Sequence, residues 1–201
     1  MKNLLDMRLI KKIIIIITLI ISFQSLTKAD DIKDFQIEGM SIGDSLLKYY
    51  DLNEISNFLR NNYDNEKFYK LGITDQSLLD KLKKYDSVSF HLKMNDNKYI
   101  IQNIGGSIFY KKIDDCLNEK KIITKEISEA LDIKLTYRKL SATWDKNTKY
   151  YQSEGVVGKG GVVAITCYDW SKKDEKKYDW SDNLSIEIYN QEVANFIRKS
   201  S

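Results

Sequence analysis

Two cysteines and one histidine bound the side-chain chemistry open to this chain. Cys116 and Cys167 lack the Cys-x-x-Cys spacing, and neither lies in a clearly basic neighbourhood, so an activated thiol is not indicated. Both fall on apolar faces of expected elements, which points to a disulfide in an oxidising compartment. Such a bridge closes a loop of about 50 residues and contributes roughly 4 kcal/mol in the chain-entropy picture; two buried free thiols are the alternative. His91 alone does not make a zinc site, which draws on several His and Cys ligands, and no Gly-x-Ser-x-Gly elbow accompanies it. Alternation with Val88, Phe90 and Leu92 places it on the more exposed face of a strand, as a surface histidine. No metal or other cofactor is expected.

The run Gly155-Val156-Val157-Gly158-Lys159-Gly160-Gly161 has the glycines of a phosphate loop. Lys159 is followed by Gly160 rather than Ser or Thr, and a strand rather than a helix comes next, so a hairpin loop is the expectation. General acid–base work needs two carboxylates in one cleft with separated pKa values. The pairs open to it are Asp114 with Asp115, and Asp169 with Asp179. A helix start explains the first pair and a local echo the second. No catalytic set emerges, and an acid-pair hydrolase is the least favoured of the functional readings.

That echo is the most specific feature of the chain. Tyr168-Asp169-Trp170-Ser171 recurs as Tyr178-Asp179-Trp180-Ser181. Two strand ends flanking a lysine-rich hairpin would account for it structurally. Functionally, Trp170, Trp180, Tyr168 and Tyr178, with Asp169 and Asp179, would form an aromatic platform with carboxylates at one rim of a sheet. Such a surface suits a sugar, an amphipathic ligand or a protein partner, because Trp and Tyr offer large contact area at low entropy cost.

The elements that must position these residues follow from periodicity. Residues 34–38 could form a short strand, and a helix pattern opens after Asp44. Asp51 with Glu54 resembles a capping box for a second helix, and Asn61-Asn62-Tyr63-Asp64-Asn65 reads as a turn. Phe68 to Leu71 could be a strand, and Asp75 could cap a short helix. Val88 to Met94 alternates cleanly, and Tyr99 to Tyr110 returns as a strand whose Gly105-Gly106 suggests a bulge. Ile113 to Leu131 is a helix whose apolar stripe is Ile113, Cys116, Leu117, Ile123, Ile127 and Leu131. Leu135–Trp144, Val162–Trp170 and Leu184–Tyr189 read as strands. Gly155–Gly161 and the charged 171–182 stretch connect them, and Gln191–Lys199 reads as a terminal helix. Short connections imply an α+β fold: a mainly antiparallel sheet with helices packed on one face.

Ahead of this domain, Lys2, Arg8, Lys11 and Lys12 precede Ile13 to Phe23, an apolar run shorter than the roughly 20 residues a spanning helix needs. It reads as a signal peptide over residues 1–29, cleaved after Ala29; an uncleaved anchor is the alternative. The single domain is then 30–201, periplasmic or secreted, with no stable membrane span after processing. Removing the leader's five basic and one acidic residues from totals of 32 and 29 leaves 27 and 28. That near-neutral balance lacks the basic footprint of a nucleic-acid binder.

The stretch Ile37-Glu38-Gly39-Met40-Ser41-Ile42-Gly43-Asp44-Ser45-Leu46-Leu47 is similar to the opening of exported proteins from AT-rich, streamlined marine alphaproteobacteria. Similar too are the Cys116 helix, Ile165-Thr166-Cys167-Tyr168-Asp169-Trp170 and the Leu184–Tyr189 strand. The resemblance covers most of the expected domain and implies no activity, since that group has none assigned. The expectation is a non-enzymatic domain that binds an envelope protein or small ligand through its aromatic rim. A structural envelope protein without a small ligand is the alternative.

Overall fold

A computed structural model describes residues 32–63, 67–158 and 160–200. The expected signal peptide, its cleavage site and part of the Asn61–Asn65 turn lie outside the described residues. Eight strands make one antiparallel sheet: β1 (Leu59–Asn62), β2 (Phe68–Gly72), β3 (Ser87–Lys93), β4 (Asn103–Phe109), β5 (Thr136–Ser141), β6 (Lys149–Val157), β7 (Gly161–Asp169) and β8 (Asn183–Tyr189). Their spatial order is β1-β2-β3-β4-β8-β7-β6-β5. Two four-strand meanders thus join through β4 and β8, paired from Asn103↔Tyr189 to Phe109↔Asn183. Five α-helices accompany them: α1 (Leu52–Ser56), α2 (Gln76–Leu79), α3 (Ile113–Leu131), α4 (Lys172–Tyr178) and α5 (Gln191–Ser200). The α+β class is as the sequence implies. No helix among the described residues is long and apolar enough to cross a membrane.

The alternation of side chains along each strand divides the sheet into two faces. On the first, Tyr69, Leu71, Phe90, Leu92, Ile104 and Ile188 pack beneath the irregular N-terminal segment, chiefly Ile37, Met40, Leu46 and Phe58. Beside them, Cys116, Ile123, Ile127 and Leu131 of α3 cover Val163, Ile165, Cys167, Leu184 and Ile186. The two cysteines are bonded, with Cα atoms 6.0 Å apart. On the second face α5 sits over one corner. Its Val193 and Phe196 pack on Phe68, with Tyr63 and Tyr189 beside them. Glu192 pairs with Lys67 and Lys93, and Arg198 with Glu154.

Local chemistry explains most boundaries. Asp51 and Glu54 form the capping box of α1, and the Asp75 side chain caps α2. The helix expected after Asp44 is only a 3-10 turn, Leu46–Lys48, and residues 34–38 contribute a single bridge, Ile37↔Met40. Asn61 and Asn62 belong to β1, an edge strand with every residue exposed. Gly105 and Gly106 form no bulge: β4 keeps unbroken register with β3 and β8. Their role is clearance, since a Cβ on Gly106 would lie 2.5 Å from the Tyr85 ring. The 171–182 stretch is not a hairpin but holds α4, with Ser171 as its N-cap. The hairpin expected over 155–161 forms, with β6 extending further into it than the sequence suggests: β6 runs to Val157, which pairs with Gly161 at the start of β7.

Candidate functional site

The register of β6 and β7 sets Tyr150 opposite Tyr168, so both rings emerge on the second face. Their centroids are 5.0 Å apart, edge to face. Two residues further along β7 the same face carries Trp170, stacked on Tyr168 at 5.3 Å with an interplanar angle of 12°. The chain then makes α4, whose start is fixed by Ser171 accepting from the Asp174 N–H. Asp179 closes it in the left-handed region at φ 56°, and this reversal returns the second half of the echo to the first. Trp180 lands 4.3 Å from Trp170, and Tyr178 stacks on Trp180 at 4.5 Å. From the β5–β6 connection Trp144 approaches Tyr150 at 6.5 Å. Six rings are therefore contiguous, and they include all three tryptophans of the chain.

The structure thus brings together the four aromatic residues that the echo singles out. Their outer members are open to solvent: Trp144 is 57% exposed, Tyr178 42% and Trp180 39%. Tyr150 is set deeper, and burial pushes its hydroxyl up to about 12; burial holds Tyr168 well above the ordinary phenol value. Neutral phenols in this range serve as hydrogen-bond groups and stacking surfaces, not as proton carriers at physiological pH.

The carboxylates are arranged differently from the expectation. Asp169 lies opposite Lys149 on the first face, where the Tyr151 hydroxyl reaches it at 3.5 Å. Asp179 is the exposed C-cap of α4. Each sits inside one copy of the echo in sequence, but neither shares its ring surface. Asp174 and Asp182 take that place. Asp174, 2% exposed, accepts from the Trp144 indole N–H at 3.1 Å and from the Thr148 hydroxyl at 2.7 Å. Asp182 accepts from the Trp170 backbone N–H at 3.0 Å, and burial raises its carboxyl above the ordinary value. Both carboxylates are engaged in fixing rings. Their signal in the sequence was available: Ser171-Lys172-Lys173-Asp174 has the spacing of a helix N-terminus, and Trp144 lies one loop away from Tyr150.

Next to the rings, the second face is lined by small polar side chains. Thr166, Ser185 and Glu187 are 2%, 5% and 8% exposed. Glu187 accepts from the Tyr189 hydroxyl. Beyond it lies His91, which is 3% exposed and not the surface residue that alternation alone implies, because α5 and Tyr63 cover this corner. Its Nδ1 meets Asn103 Oδ1 at 2.5 Å and its Nε2 meets the Tyr63 hydroxyl at 2.6 Å. An amide oxygen only accepts, so Nδ1–H donates to it and Nε2 accepts from Tyr63. Burial lowers the imidazole to about 4, which makes it a neutral structural link. Among the described residues, three buried side-chain polar atoms lack a partner within the protein: Thr166 Oγ1, Trp170 Nε1 and Thr124 Oγ1. The first two flank Tyr168 on this face, closed off from solvent.

No cluster of His, Cys, Asp or Glu among the described residues could hold a metal ion. Comparison with protein-family models, curated proteins and solved structures gives no match.

Proposed function

We propose that this protein is an exported, non-enzymatic binding domain that holds a saccharide of the cell envelope against its aromatic cluster. The observation that carries the reading is the contiguous six-ring surface, three of whose rings are substantially open. Exposed, mutually braced aromatic rings offer flat apolar area without the entropy cost of ordering flexible chains. Sugars present flat C–H faces, which suit stacking on the open rings of Trp144, Tyr178 and Trp180. The acids that adjoin the rings are occupied in positioning them, which favours binding over acid–base chemistry. Export is supported by the Cys116–Cys167 bridge, since such bonds persist outside the reducing cytosol.

The test is a thermal-shift and titration screen with soluble peptidoglycan fragments and neutral oligosaccharides, since a ligand that binds only the folded state raises the melting temperature. Trp180→Ala and Tyr178→Ala remove exposed rings, so they are expected to leave the far-ultraviolet spectrum unchanged while weakening binding at least tenfold. Unfolding of both variants would show these rings to be core, and saccharide binding unchanged in both would remove the cluster as the site.

A further inference from the structure

A second site lies on the other face of the sheet, beneath α3. There a cavity of about 270 Å³ is lined by Leu117, Lys120, Lys121, Thr124, Tyr137 and Ser153. Lys120 follows Cys116 by one helical turn, in the stripe that α3 turns toward the sheet, and it is only 6% exposed. Its ammonium donates to the Ser153 hydroxyl and lies 5.3 Å from the centre of the Tyr137 ring. No carboxylate among the described residues is within ion-pairing distance of it. A buried charge ordinarily requires a counter-charge, and this one has a hydroxyl and a ring face instead. Thr124 Oγ1, one turn further along α3, is buried and without a partner. A Lys ammonium has three donors, so Lys120 and Thr124 together retain unused capacity beside the cavity.

We propose that this cavity binds a small organic monocarboxylate, its charged end held by Lys120 and Thr124 and its apolar body against Leu117 and Tyr137. The volume has room for about nine water-sized groups, enough for a short aliphatic or a single-ring acid. Desolvation lowers the Lys120 ammonium to about 8, so it is still mainly protonated at neutral pH. A bound carboxylate supplies the missing opposite charge. Lys121 at the rim adds a second, exposed cation that draws anions toward the opening. A single buried ammonium matches one negative charge. A phosphate, with close to two, would have only the solvent-exposed Lys121 at the rim to meet its second charge.

The experiment titrates the protein with benzoate, hexanoate, benzamide and inorganic phosphate, following lysine side-chain resonances and binding heat. Benzoate and hexanoate are expected to bind and to move the Lys120 resonance, with benzamide at least tenfold weaker. Lys120→Met is expected to lose carboxylate binding at least tenfold, and Thr124→Val to weaken it severalfold, both with unchanged circular dichroism. The proposal is overturned if neither acid binds, if benzamide binds as tightly as benzoate, or if phosphate alone binds. It is overturned equally if the acids move no lysine signal of the unaltered protein, a readout that does not depend on any variant folding.

Discussion

His91 and Lys120 show how burial alone gives a side chain its character in this domain. His91 has a folded pKa near 4 against an ordinary 6.5 because its corner excludes water. The unfolded chain therefore takes up its proton first as pH falls. The stabilising contribution of the neutral, bonded imidazole is complete above pH 6.5 and is lost progressively between pH 6.5 and about 4. The shift corresponds to about 3 kcal/mol. Urea midpoints measured at pH 7.5 and 4.5 are expected to fall steeply for the unaltered protein, and distinctly less for His91→Gln, once its lower starting stability is subtracted. Lys120 works in the same direction at higher pH. Its folded value near 8 lies below the ordinary 10.5, so the penalty for burying the ammonium is full below pH 8 and relieved as pH rises toward 10.5. Lys120→Met is accordingly expected to melt several degrees higher than the parent at pH 7, with the difference shrinking by pH 10; an equal gain at both pH values would contradict the assignment. Neither behaviour was legible from residue type. The alternation that puts His91 opposite Phe90 is correct, yet both faces are buried there. Lys120 occupies the stripe position between Cys116 and Ile123, where a reading based on apolar residues alone skips it.

Strongly periodic elements were the legible ones. β3 has clean alternation and α3 a sustained apolar stripe, and both form where their patterns indicate; α1 starts where its capping box indicates but stops at Ser56, the chain turning into β1 from Leu59. The misreadings have physical reasons. β6 contains Tyr150, Tyr151, Gln152, Ser153 and Glu154, polar or amphipathic on both faces, because one side meets α3 near the Lys120 cavity and the other carries the ring cluster. α4 has no apolar stripe, and the residue it buries is Asp174; it is held by its Ser171 cap and by the bonds to Asp174, not by packing a greasy face. The paired glycines of β4 look like a bulge signal, yet they serve Tyr85 and Glu187, which press against the strand from either side. Gly106→Ala must push the Tyr85 ring from its place. Overpacking of this kind costs about 1–3 kcal/mol, to be read as a lowered urea midpoint. Gly106→Ala with unchanged stability would show that the Tyr85 ring yields freely.

At the scale of the whole molecule, the two meanders have separate cores on the first face, one under the N-terminal segment and one under α3. The β4–β8 pairing joins them. The Cys116–Cys167 bridge ties α3 to β7, the strand whose other face carries Tyr168 and whose end delivers Trp170. Reduction is expected to lower the unfolding free energy by about 4 kcal/mol, measured by urea unfolding with and without reductant under two-state conditions; an unchanged midpoint would mean the α3 core holds without the link. Because the bridge anchors the scaffold and not the rings themselves, bound saccharide is expected to restore part of the lost stability by mass action.

Trp144, Trp170 and Trp180 are the only tryptophans of the chain, so fluorescence excited selectively at tryptophan arises entirely within the proposed binding surface. A titration with soluble peptidoglycan fragments, read by that fluorescence, addresses the surface directly. The account predicts a saturable change in emission, abolished in Trp180→Ala by loss of affinity and not by loss of fold. Emission that stays flat while an independent method records saccharide binding would contradict it, because the ligand would then be seated away from the rings.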